Sequence, residues 1–254
     1  MTVSAHFKVF MSEALIARQF RGPPNSGNGG YVCGVLASQF DGPATAVLRA
    51  IVPLDIPMPL ARVDDRVTMI NGDKLVGEAW AADPSILPQV WTPPCLEDAE
   101  AATKRSPTWN HPLHPPCFSC SLTREEGDGL RVAVGQVEGR PKGYLAGVWT
   151  PHRNFADANG RAPAEIVWAA LDCPGSIAWM VLTPPVGLLG TMTGEVLQLP
   201  KVEEPHIVTA WPLGQEGRKH YAGVALFTAD GALLARGHQI WIGRNPNAPP
   251  RPPN

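Results

Sequence analysis

Asp172 is the residue whose placement most invites a chemical reading. It ends the run Trp168-Ala-Ala-Leu-Asp172, whose apolar residues have helical spacing. A carboxylate on an apolar helical face is costly to bury unless it is paired or used. Gln239 has a comparable place on a strand. In Leu233-Leu-Ala-Arg-Gly-His-Gln-Ile-Trp241, alternation puts it on the face of Leu233, Ala235, Gly237 and Trp241, while Arg236 and His238 point the other way. A buried amide on that face is either a satisfied core group or one that holds a ligand. The third feature is Ser26-Gly-Asn-Gly-Gly30, which leads into a helical pattern. First-turn N–H groups have no intrahelical acceptors, so Asn28, Gly29 and Gly30 could polarise a substrate oxygen there. Glycines let a ligand approach the backbone closely, and the same Asn-Gly pair is equally an ordinary helix cap.

Other motifs point elsewhere or nowhere. Cys117-Phe-Ser-Cys120 is a CxxC, but a four-ligand zinc site needs two more ligands, and His111 and His114 sit awkwardly among Pro112, Pro115 and Pro116. The expectation is no metal and no cofactor, with Cys117 and Phe118 packing the connector against the body. Cys173 has no evident basic neighbour to activate it as a nucleophile. No G-x-S-x-G occurs, which argues against a Ser-His-Asp hydrolase. GPPNSGNGG lacks the Gly-Lys-Ser/Thr ending of a phosphate loop.

The elements that must carry these residues form a repeat. Val67-Thr-Met-Ile-Asn-Gly-Asp-Lys-Leu-Val-Gly-Glu-Ala79 and Leu226-Phe-Thr-Ala-Asp-Gly-Ala-Leu-Leu-Ala-Arg-Gly-His238 each set a strand pattern on either side of Asn71-Gly72 or Asp230-Gly231. Asn-Gly and Asp-Gly are strong hairpin signals because both tolerate positive φ. Upstream of each hairpin lies another strand pattern, Thr45–Val52 and Leu188–Leu197, and before that a helical one, Gly30–Phe40 and Ala164–Asp172 continuing toward Trp179. Leading strands fit Ala5–Phe10 and Tyr144–Thr150. One helix followed by antiparallel strands thus occurs twice, which predicts an α+β chain with residues 1–82 and 140–243 as its halves. Prolines mark 83–139 as connector and 244–254 as a disordered tail.

At 254 residues, 44% hydrophobic and 17% charged, the chain can build one large core or two ordinary ones. A net charge of −2 without a basic run argues against nucleic acid and anionic membrane as partners. No uncharged apolar run reaches membrane-spanning length and no signal peptide is visible, so a cytoplasmic location is expected. The odd, irregular set of 5 cysteines predicts reduced thiols.

Three segments, Ser26-Gly-Asn-Gly-Gly30 before a helix, Cys117-Phe-Ser-Cys120 followed by Gly127-Asp-Gly-Leu-Arg131, and Trp168-Ala-Ala-Leu-Asp-Cys-Pro-Gly175, together resemble the thioesterase-like superfamily of double hot-dog proteins. The resemblance covers roughly residues 5–242. It implies a tandem (double) hot-dog, each half a long helix wrapped by a curved antiparallel β-sheet. It also implies an acyl-CoA thioesterase-like hydrolase that cleaves an acyl thioester with an Asp-oriented water. The chain is similar to the acyl-CoA thioesterase II type, and that likeness puts Asp172, Thr193 (alternatively Thr191) and Gln239 in catalytic roles, with Asn28, Gly29 and Gly30 at the substrate. Pro174, two residues past Asp172, predicts a kink or stop in the helix. Two alternatives share the fold: a non-catalytic acyl-thioester or lipid binder, and a hydratase or dehydratase using an Asp–His pair, for which His206, His220 and His238 are the nearby histidines. CoA and carrier protein both fit as thioester carriers, with Arg153 and Arg161 available for phosphates. Trp149, Trp168 and Trp179 fit a core or an acyl tunnel. A monomer and a homo-oligomer both fit the pairing of halves.

Overall fold

In the computed structural model, residues 8–111, 113–183 and 187–243 are described. The expected tail, 244–254, and the first residues of the expected leading strand, 5–7, lie outside them. The elements run β1 (Lys8–Leu15), α1 (Gly29–Ala37), β2 (Ala44–Leu48), β3 (Pro57–Val63), β4 (Arg66–Asn71), β5 (Lys74–Ala81), α2 (Leu96–Lys104), β6 (Gly135–Gln136) and β7 (Leu145–Trp149). They continue with α3 (Ala164–Met180), β8 (Leu188–Val196), β9 (His206–Glu216), β10 (Lys219–Thr228) and β11 (Leu233–Ile242).

The strands form one antiparallel sheet in the order β1-β3-β4-β5-β2-β8-β11-β10-β9-β7-β6. Strands from residues 8–81 fill one end and strands from residues 135–242 the other. They meet where β2 pairs with β8, with Thr45 opposite Thr193 and Ala46 opposite Met192. Both anticipated hairpins form. The first turns at Gly72, with φ +63°, between Asn71 and its partner Lys74, and the second at Gly231, with φ +91°.

A strand also forms where prolines had suggested only punctuation. β3 contains Pro57 and Pro59, which pair with Leu15 and Glu13 of β1, whereas β4 pairs with β3 only from Leu60 to Val63. The prolines therefore occupy the stretch bonded on one side, where a missing N–H costs no ladder bond.

Helices α1 and α3 pack against each other on one face of the sheet, α1 over β2, β5 and β8 and α3 over β8 to β11. Helix α3 is buried along almost its whole length, as its all-round apolar composition requires. Pro174 neither stops α3 nor divides it, since the helix runs from Ala164 to Met180. The proline removes the N–H that would bond the Ala170 carbonyl, but the next two carbonyls, of Leu171 and Asp172, are taken by the Gln239 amide at 2.7 and 3.2 Å. With those acceptors satisfied, the last turns can continue.

On the opposite face α2 packs on β6 and β7, and its Ala99 and Ala102 join a second core with Tyr144, Ile207, Trp211 and Phe227. The stretch expected to be a plain connector thus contributes a helix and a core layer. Its later part, 117–134, returns to the α1 side, where the Phe118 N–H donates to the Arg21 carbonyl at 2.7 Å.

Candidate functional site

The site lies where the start of α1 meets the middle of α3. Close approach depends on glycine: a Cβ at Gly30 would lie 2.4 Å from the Trp168 carbonyl oxygen and 2.6 Å from the Asp172 Cβ, and one at Gly34 would lie 2.6 Å from the Glu165 Cα. Both glycines sit on one face of α1, one turn apart. Asn28 does two jobs there. Its Oδ1 caps α1 by accepting from the Tyr31 N–H at 2.9 Å, and its Nδ2 donates to Asp172 Oδ2 at 2.6 Å.

Asp172 is 3% exposed, and its Oδ1 makes no hydrogen bond to any described residue. Burial pushes its carboxyl up to about 7 and negative charge on Cys117 adds to the rise, while the Gly30 N–H and the Asn28 amide pull it down. The helix contact accordingly contains a carboxylate with one oxygen held and the other bare.

Cys117, Cys120 and Cys173 are buried beside it as free thiols. Cys117 Sγ lies 3.6 Å from Cys173 Sγ and 3.8 Å from Asn28 Nδ2. Hydrogen bonds from Cys120 and Cys173, with the Ser119 and Cys120 N–H groups, hold the Cys117 thiol well below its ordinary range despite its burial. Among the described residues neither His111 nor His114 joins the sulfurs of Cys117 and Cys120. The third cysteine comes from α3, 56 residues away, a proximity that spacing within the connector cannot signal.

The other two residues of the expected catalytic set do not join Asp172. Met192 touches Gln239, and a Cβ at Gly194 would meet Trp168, so both face the helices. Thr193, between them, therefore faces the other side of the sheet, where its hydroxyl lies 2.8 Å from that of Thr45. Thr191 shares its parity. Gln239 does face the helices and is fully buried, but its amide is consumed: Nε2 bonds the α3 carbonyls and Oε1 accepts from Trp241 Nε1 at 2.8 Å. Of the three, only Asp172 sits at the start of α1.

The histidines are likewise apart from Asp172. His206 packs near Trp149, His220 edge-on to Trp179, and His238 against Tyr221. Arg153 pairs with Glu203 at 2.7 Å, and Arg161 donates to the Leu199 carbonyl. A surface cleft of about 540 Å³ opens between the connector and β7, bordered by Trp109, Arg131, Trp149 and His152, with no wall from α1 or α3. Among the described residues, no helix is long and apolar enough to cross a membrane.

No family model matches the sequence, and no curated protein matches it. Solved structures do resemble it. A protein assigned as a thioesterase from Novosphingobium aromaticivorans DSM 12444 is 13% identical and superposes with a TM-score of 0.61 over 92% of this chain and 95% of its own. The tesB protein of Mycobacterium avium subs paratuberculosis is 13% identical, with a TM-score of 0.55 over 96% of both chains. A conserved hot-dog protein of unknown function from Alicyclobacillus acidocaldarius is 14% identical, with a TM-score of 0.57 and the same coverage. The chain shares the fold of these proteins.

Proposed function

We propose that this chain is an acyl-thioester hydrolase, built as two hot-dog halves on either side of the β2–β8 pair, with its chemistry at the α1–α3 contact. The observation that carries the reading is the state of Asp172: one oxygen is fixed by Asn28 while the other is bare in a buried setting. A buried acceptor without a partner is costly, and a polar guest, water or substrate, relieves that cost.

In this reading Asp172 orients a water toward the thioester carbonyl carbon and takes its proton as the new C–O bond forms. The Gly29 N–H, at the positive end of α1, is the donor left for the oxygen that gains charge, since the Asn28 N–H bonds the Phe20 carbonyl at 2.7 Å and the Gly30 N–H serves the Asp172 carboxylate. As the C–S bond breaks, the proton passes to the departing thiolate, leaving an acid and a free thiol. Thr193 and Gln239 take no part, because one faces away and the other is spent on backbone carbonyls. The thioester carrier is CoA or a carrier protein.

The second reading is an acyl-thioester or lipid binder without turnover. The consumed amide of Gln239 favours it, since a water at Asp172 then has one fewer protein group to hold it. Thiol release from short, long and aromatic acyl-CoAs, compared with Asp172→Asn, tests both. Turnover lost in a folded variant supports hydrolysis at Asp172. Saturable binding with no turnover on any acyl-CoA selects the binder.

A further inference from the structure

Three of the five cysteines converge without forming a disulfide. Cys117 and Cys120 come from the loop after α2, Cys173 comes from α3, and all three sulfurs lie within 4.8 Å of one another. Tetrahedral zinc, with Zn–S bonds of about 2.3 Å, sets its sulfur ligands about 3.8 Å apart. The Cys117–Cys173 separation of 3.6 Å is already near that edge length. Little rearrangement would be needed to seat an ion.

We propose that Cys117, Cys120 and Cys173 form a three-thiolate site for one soft divalent metal ion of the zinc class, tying the connector to α3. Soft sulfur ligands select such ions over magnesium or calcium.

The surroundings suit bound thiolates. The Asn28 Nδ2 donates toward the Cys117 sulfur at 3.8 Å, the kind of outer hydrogen bond that steadies a ligating thiolate. Each thiol that ligates gives its proton to solvent, so uptake releases acid. The two remaining cysteines, Cys33 and Cys95, lie outside the cluster. The site stands independently of the hydrolase reading, which assigns these thiols no part.

Cobalt(II) is the probe, because a three-thiolate site gives it intense sulfur-to-metal absorption. The full chain, reduced and stripped with chelator, is titrated with cobalt(II) and then with zinc(II). The expected result is a sharp end point at one cobalt per chain, displacement of the colour by zinc, proton release, and a raised melting temperature. Cys173→Ser should weaken binding at least tenfold, while Cys33→Ser and Cys95→Ser leave the titration unchanged. Circular dichroism checks that each variant is folded, and the wild-type titration decides the matter even where one is not. Folded, reduced wild type with no thiolate–cobalt absorption, or absorption that persists in folded Cys173→Ser, overturns the site. Acyl-CoA turnover is unaffected by either result, so failure here is distinct from failure of the hydrolase reading.

Discussion

The Asn28 amide donates to the Asp172 carboxylate at 2.6 Å, joining residues 144 apart in sequence across the contact of the two long-range helices. The same side chain caps α1, so one amide couples the start of one helix to the only carboxylate in the middle of the other. Asn28→Ala removes the cap, worth about 1 kcal/mol, and leaves a buried carboxylate short of a donor, which costs about 1–3 kcal/mol more. Asn28→Asp keeps the cap but sets two carboxylates face to face. Chemical denaturation should rank the wild type above both. Asn28→Asp should gain stability as pH falls, because protonation removes the repulsion and restores a donor.

Gly30 and Gly29 separate packing from propensity. Alanine in place of glycine gains about 1 kcal/mol of helix propensity. At Gly30 that gain meets a methyl placed 2.4 Å from the Trp168 carbonyl oxygen, which is backbone and cannot swing aside. At Gly29 the nearest atoms are Leu189 side-chain carbons at 3.1 Å. Gly30→Ala should therefore lower stability by about 1–3 kcal/mol or more, and Gly29→Ala by clearly less. Equal losses at the two positions would falsify the account of a glycine-mediated helix contact.

Those residues also mark what was legible in the sequence. The two-fold order of helix, strand and hairpin was visible because alternation, helical spacing and the Asn-Gly and Asp-Gly turns are local signals. Asp172 was visible because a carboxylate interrupts an apolar run. Strand β3 was hidden because its prolines are tolerated only where one side goes unpaired, and α2 because it lies in a proline-rich stretch. Thr193 illustrates a finer limit: strand alternation says that neighbours face opposite sides, but only pairing with β2 and contact with Trp168 fix which side is which. The thiol cluster was beyond reach, since its third sulfur arrives from a different element.

Gln239 is a structural bridge, and its removal should show in stability. Gln239→Leu takes the Nε2 donor from the Leu171 carbonyl and leaves the Trp241 indole N–H without its partner in a fully buried place, a loss of about 1–3 kcal/mol. Gln239→Glu keeps the shape but can donate to the carbonyl only when protonated. Its folded-state pKa is thereby raised, so its stability should fall as pH rises above the ordinary carboxylate value while the wild type holds. A thermal-melt series across pH compares the two. A Gln239→Leu protein as stable as wild type would mean that the amide is not needed to carry α3 past Pro174.

Acid sensitivity should be traceable to Glu78 on β5. Burial alone would raise its carboxyl, but hydrogen bonds and charge from Arg49, at 2.6 Å, and Arg66, at 2.9 Å, outweigh that and hold it below the ordinary carboxylate range. A carboxyl depressed in the folded state binds its proton more weakly there than in the unfolded chain, so the unfolded state takes up protons first as pH falls. The stability it contributes is complete above the ordinary carboxylate pKa and is lost as pH drops through the lower, folded value. Glu78→Gln has no such proton to bind. It should be less stable than wild type at neutral pH, because two arginines lose their anion, and the gap should narrow steadily as pH falls below about 4.5, the ordinary carboxylate value. Urea titrations at neutral and acid pH read the gap directly; a gap that stays constant across that range would assign the acid sensitivity to other carboxylates.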